Sequence, residues 1–163
     1  MKKIILKSLI LLLVMGFLTG CQGKKVSPGD VEGYDEGETY LSLWVHTIED
    51  TPEGEAYKKS VEGFNEAYDG VYFADIEFIP RNDSGGGYSD KVNASVMSGG
   101  LPDVLTVDGP NVSAYAANGI IQPLAEIPEE EKAVYLESII EQGTYDGKLY
   151  ALGVLESSVG MYY

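Results

Sequence analysis

Tyr40-Leu41-Ser42-Leu43-Trp44-Val45 is a short β-rich apolar run, and a polar segment from His46 to Gly54 follows it. Beyond that segment Tyr57, Val61, Phe64 and Tyr68 recur at spacings of four, three and four residues. Six residues rich in β-branched and aromatic types predict a buried strand, and the second spacing predicts one stripe of an amphipathic helix. Gly70 marks the end of that helix, and Asp75-Ile76-Glu77-Phe78-Ile79 predicts a second strand stopped at Pro80. A strand, a helix and a second strand joined this way imply parallel pairing, because antiparallel strands need no such crossover.

The alternation continues outward. The glycine-rich loop Arg81 to Gly87 leads into a helix carrying Tyr88, Val92 and Val96, closed by Gly99-Gly100. Asp103 to Val107 predicts a third strand, and Asp108-Gly109-Pro110 turns into a short helix over residues 112–118. Pro128 and Glu129-Glu130-Glu131 open a further helix with Tyr135, Leu136, Ile139 and Ile140 on its core face. Proline in the first turn and acids at the positive end of the helix dipole both suit a helix start. Tyr145-Asp146-Gly147-Lys148 reads as a turn before final extended segments. The fold class is therefore α/β, a mostly parallel sheet flanked by helices.

The N-terminus has a different character. Lys2, Lys3 and Lys7 precede an apolar run from Leu9 to Leu18, and Thr19-Gly20 lead into Cys21. A positive start, a short apolar run and small residues make a secretory signal peptide over residues 1–20. A spanning helix needs about 20 predominantly apolar residues, more than this run offers. Leu18-Thr19-Gly20-Cys21 resembles the lipobox of bacterial lipoproteins. The resemblance implies that the Cys21 thiol receives a diacylglyceryl group and becomes the mature N-terminus, lipid-anchored on the extracytoplasmic face of the cell membrane. Two acyl chains anchor stably where one does not. Residues 22–37 contain Gly, Ser, Pro and acids without apolar periodicity, so residues 21–37 read as a lipidated flexible linker and residues 38–163 as the folded part.

Charge and cysteine content exclude several functions. Three of the 11 basic residues precede Cys21 and all 26 acidic ones follow it, leaving 8 against 26, a formal charge of −18. Such a surface repels phosphate backbones, so no nucleic-acid partner is expected. Cys21 is the single cysteine, which removes intrachain disulfides and cysteine-based zinc sites. Ser84-Gly85-Gly86-Gly87 follows a strand and precedes a helix, yet it lacks both the dinucleotide spacing and the Lys-Ser or Lys-Thr of a P-loop. Glu49, Asp50, Glu53 and Glu55 miss the calcium-loop spacing and read as a solvated acidic turn before a helix. His46 is the only histidine and no nucleophile elbow accompanies it, so no catalytic residue, cofactor or metal ligand is expected.

Several separated segments together carry a family resemblance. They are Trp44-Val45-His46; Ser98-Gly99-Gly100-Leu101-Pro102-Asp103-Val104; Asp108-Gly109-Pro110 with Tyr115-Ala116; Asn118-Gly119-Ile120-Ile121-Gln122-Pro123-Leu124; Tyr145 to Leu152; and Met161-Tyr162-Tyr163. In this order and spacing they resemble the first lobe of family 1 extracellular solute-binding proteins, the sugar-binding lipoproteins of ABC importers. The resemblance implies a type II periplasmic-binding-protein-like lobe, a mono- or oligosaccharide ligand and an ABC permease as membrane partner. It also implies a second lobe, before which this sequence stops. A chain truncated there is expected to be impaired in binding.

Ligands of open α/β sheets bind beyond the carboxyl ends of the strands. That rule selects His46, Glu49 and Asp50 after the first strand, Asn82 and Asp83 after the second, and Asp108 and Asn111 after the third. The segment after Leu152 adds Glu156, Ser157 and Ser158. Carboxylates and amides suit sugar hydroxyls. Trp44 can offer a ring face to a pyranose, although a core tryptophan on a buried strand is the slightly favoured reading. Two other classes fit the same composition: a small secreted carbohydrate-active enzyme working through paired carboxylates, and a structural or adhesive surface lipoprotein.

Overall fold

A computed structural model describes residues 31–81 and 86–154 of the chain. The described residues fall into two compact units, divided between Asp103 and Val104.

The first unit begins with β1 (Thr39–Val45), α1 (Pro52–Ala67), β2 (Tyr72–Phe78) and α2 (Gly87–Ser98). β1 and β2 pair in parallel, from Thr39 opposite Tyr72 to Val45 opposite Phe78. Successive side chains alternate across a strand. Tyr40, Ser42 and Trp44 therefore share one face with Phe73, Asp75 and Glu77, while Leu41, Leu43 and Val45 share the other with Ala74, Ile76 and Phe78. Asn65 on α1 donates to the Ala74 carbonyl at 3.0 Å and accepts from the Ala74 N–H at 2.8 Å, satisfying both backbone groups of one β2 residue.

Helix α1 starts as its sequence dictates. Thr51 has an extended backbone and its hydroxyl accepts from the Gly54 N–H at 3.1 Å; Pro52 opens the helix, and Glu53 and Glu55 occupy its first turn. Tyr57, Val61 and Phe64 lie half-buried as the spacing predicts, while Tyr68 falls just beyond the helix and is exposed. Helix α2 ends at Gly99, whose φ of 72° is the left-handed cap that glycine tolerates. The core of the unit gathers at the carboxyl end of β1: Val45 and Val92 are fully buried, and Trp44 and Tyr88 nearly so. Val96, expected on the same stripe as Val92, is 39% exposed.

Two expectations shift here. β2 starts at Tyr72, three residues before the sequence pattern suggested, because the Thr39 N–H donates to the Val71 carbonyl at 2.9 Å and pairing begins at once. Tyr34, inside the expected linker, is docked: its ring meets Tyr40 and Phe73 edge-on at 5.8 and 6.0 Å, and its hydroxyl donates to the Glu38 carbonyl at 3.2 Å. A lone aromatic among glycines and acids leaves no periodicity to detect.

The second unit carries β3 (Val104–Leu105), α3 (Gly109–Ala117), α4 (Glu129–Lys132), α5 (Glu137–Gln142), β4 (Thr144–Tyr145) and β5 (Lys148–Leu149). β3 is shorter than the predicted Asp103–Val107. β4 and β5 form an antiparallel hairpin, Thr144 opposite Leu149 and Tyr145 opposite Lys148. Asp146 (φ 47°) and Gly147 (φ 73°) turn it, both left-handed as a two-residue hairpin demands. α3 packs against β4 and α5, burying Val112 and Ala116.

The single helix expected from Pro128 to Ile140 is two short ones. Leu136 has an extended backbone (ψ 145°) between them, and it is 62% exposed, with Val134 80% exposed. Tertiary burial supplies most helix stability, and a stripe with nothing pressed against it does not hold a continuous helix.

Candidate functional site

The loop after β1 is built from the helix that follows it. Thr47, 8% exposed, donates to the Glu53 carboxylate at 3.2 Å and stands 3.4 Å from the Thr51 hydroxyl. Thr51 in turn donates to the Ile48 carbonyl at 2.7 Å. Gly54 is buried against this loop, and a Cβ there would stand 2.3 Å from the Ile48 carbonyl oxygen. The backbone of residues 47–51 is thereby fixed by the N-terminal turn of α1. Sequence reasoning missed Thr47 and Glu53 as partners. The Thr51-Pro52-Glu53 helix start was the signal available for the cap.

The predicted side chains of the first unit are placed as follows. His46 is half-buried and meets the Tyr88 ring edge-on, 5.5 Å between centroids at 81°. Glu49 is exposed and pairs with Lys58 at 2.5 Å, a contact that raises the Lys58 pKa. Asp50 is exposed on the same loop. Trp44 takes the core position: it is 9% exposed, and the Lys91 ammonium stands 4.2 Å from its ring centroid. Lys91 also pairs with Glu77 on β2. Tyr88 and Lys91, neither of them singled out from sequence as ligand-side residues, thus surround the carboxyl end of β1.

In the second unit Asp108 is the residue before α3, with an extended backbone, and its carbonyl accepts the Asn111 N–H at 2.8 Å. Asp108 and Asn111 are both exposed on this first turn. Burial, and then the Asp108 charge, raise the Tyr115 phenol above its ordinary pKa. Asn82, Asp83, Glu156, Ser157, Ser158 and Cys21 lie outside the described residues.

Two depressions among the described residues lie elsewhere. One, about 400 Å3, is lined by Gly33, Glu38, Asn65, Glu66, Asp69 and Phe73 in the first unit. The other, about 410 Å3, lies in the second unit between the 123–127 segment and Lys132, Lys148 and Leu149. Neither contains a predicted ligand side chain. Among the described residues no group of three or more His, Cys, Asp or Glu is arranged to hold a metal ion, and no helix is long and apolar enough to cross a membrane.

The loops after β1 and before α3 each carry exposed polar side chains, and a fold of this kind does not by itself name one chemistry. Residues 59–163 match the family profile described as bacterial extracellular solute-binding protein, and the chain belongs to that family. Solved structures agree on the fold. The family 1 extracellular solute-binding protein of Alicyclobacillus acidocaldarius aligns with 73% of this chain at a TM-score of 0.60 and 23% identity. CpMnBP1, solved with mannotriose bound, aligns with 70% at 0.57 and 22% identity. The galacto-N-biose/lacto-N-biose I-binding protein of the Bifidobacterium longum ABC transporter, solved with lacto-N-biose, aligns with 73% at 0.56 and 17% identity. The alignments cover 28%, 28% and 29% of those chains, so this chain spans less than a third of the structures it matches. No curated protein matches it.

Proposed function

We propose that this chain captures a mono- or oligosaccharide outside the cell for an ABC-type importer and catalyses no reaction on it. The observation that carries this reading is the family match over residues 59–163. Two structural neighbours solved with mannotriose and lacto-N-biose point to carbohydrate as the solute class. In the first unit the loop after β1 would contribute His46, Glu49 and Asp50 as hydrogen-bonding groups for sugar hydroxyls, and in the second unit the loop after β3 would contribute Asp108 and Asn111. Asn82, Asp83, Glu156, Ser157 and Ser158 would add to them. Trp44 would act from beneath, as the packed base of the β1 end.

Small-ligand pockets bury about 70–90% of a ligand's surface. Glu49, Asp50, Asp108 and Asn111 are exposed, so the 163-residue chain by itself should bind sugar weakly. The test is an NMR titration with mannotriose and with lacto-N-biose up to tens of millimolar. Shifts confined to residues 46–50, 82–83, 108–111 and 156–158 are the expected result. No shift with either sugar, or release of a cleaved product, overturns the reading.

Cys21 would hold the protein at the membrane through its lipid, in keeping with the extracellular assignment of the family. Cys21→Ala should abolish incorporation of labelled fatty acid and release the protein from the membrane fraction. Retained label would remove the anchor from the proposal.

A further inference from the structure

Carbonyl groups alternate in direction along a strand. The Val45 carbonyl accepts from the Ile79 N–H at 2.9 Å and so faces β2, which turns the Trp44 carbonyl away from β2. The Tyr88 hydroxyl donates to that Trp44 carbonyl at 3.3 Å. The same side chain sets its ring edge-on to His46 at 5.5 Å. Tyr88 is itself 6% exposed, in the first turn of α2. On the other side of His46, Thr47 is buried and held by Glu53. His46 therefore stands between two fixed points, one made by Tyr88 and the other by the α1 cap.

We infer that Tyr88 is a positioning residue for the solute-side end of β1: its hydroxyl fixes the strand end and its ring fixes the His46 imidazole. One side chain from the helix after β2 thereby ties down the loop after β1. This rests on the reading of residues 46–50 as part of the solute site. Hydroxyl and ring separate by substitution. Tyr88→Phe keeps the ring and loses the bond to the Trp44 carbonyl; Tyr88→Leu loses both and still fills apolar space.

His46 is the only histidine, so its imidazole gives one resolved signal whose mobility can be measured directly by 13C relaxation. In the Leu variant the His46 ring should become mobile on the nanosecond scale while the Val92 methyls stay rigid; in the Phe variant the ring should stay ordered. Purely structural packing would loosen Val92 and His46 together. Mannotriose titrations supply the second arm, with the dissociation constant rising roughly tenfold in the Leu variant and less in the Phe variant. A His46 ring as rigid in Tyr88→Leu as in the parent overturns the inference, as does loosening shared equally with Val92. If the parent chain shows no response to mannotriose or lacto-N-biose, the solute reading fails, while the relaxation arm still decides the role of Tyr88.

Discussion

The two ends of the β1–β2 pair are held by different physics. At the amino end, aromatic surface does the holding: Tyr34 packs edge-on to Tyr40 and Phe73, which themselves stack across the strands at 6.5 Å. The Glu38 carboxylate adds two clamps, accepting from the Gly70 N–H at 2.9 Å and the Asp35 N–H at 3.0 Å. At the carboxyl end directional hydrogen bonds are added to the buried apolar core, through Thr47, Thr51, Glu53 and the Tyr88 hydroxyl. Packing tolerates small displacements, whereas a hydrogen-bond network specifies positions. The end that carries the candidate solute loop is the specified one. The chain enters the fold at the opposite end.

The sharpest way to break this contrast is Gly54→Ala. The added methyl would collide with the Ile48 and Glu49 carbonyl oxygens at 2.3 and 2.4 Å, and backbone cannot yield as a flexible side chain does. Overpacking of this kind costs about 1–3 kcal/mol, and the upper end is expected here. Trp44, the only tryptophan and close to this loop in the chain, lets urea denaturation be followed by fluorescence. An unchanged midpoint would mean the β1–α1 loop is not held as tightly as its contacts imply.

At the amino end Tyr34→Ala should cost about 1–2 kcal/mol, from lost aromatic pairing and burial, and should make residues 31–38 sensitive to limited proteolysis. Tyr34→Phe should recover most of that loss, since packing is the main contribution and the Glu38 carbonyl bond the lesser one. Equal losses for Ala and Phe would invert the assignment and make this end polar too. Thr51→Ala tests the other end more gently. Loss of one helix cap costs about 1 kcal/mol, and Thr51→Ser should restore it in thermal denaturation.

Much of this was legible in sequence because it rests on periodicity and on local chemistry. β1, the α1 stripe, the Gly99 cap and the Asp146-Gly147 hairpin each have a signature of a few adjacent residues. The docking of Tyr34 on Phe73 and the Lys91 ammonium over Trp44 join residues far apart in the chain, the Asn65 clamp on Ala74 joins a helix to the strand after it, and no periodicity announces them. The break at Leu136 was hidden for the reverse reason, since its local pattern is helical and only missing burial undoes it. Of the candidate site, the loops were legible through the rule for open α/β sheets. Which member of a loop faces solvent and which is spent on structure was not: Thr47 and Glu53 hold the loop, while Asp50 is left to solvent.

The mildest prediction concerns alkaline pH. The Tyr40 hydroxyl donates to Asp75 at 2.6 Å. Burial first, then that bond, then the charges of Asp75, Asp103 and Glu77 push its phenol above the ordinary value of 10.0. Burial and then Glu53 push Tyr57 the same way. A phenol held protonated in the fold binds its proton more tightly than in the unfolded chain. Its contribution to stability is therefore complete below about pH 10 and is lost as pH rises beyond that value. Tyr40→Phe should lower stability modestly at neutral pH, through loss of the Asp75 bond, and should flatten the decline above about pH 10. Urea midpoints for parent and variant across that range measure the difference. Parallel curves at every pH would show that Tyr40 titrates as freely in the fold as out of it, and that the carboxylates on its sheet face do not act on it.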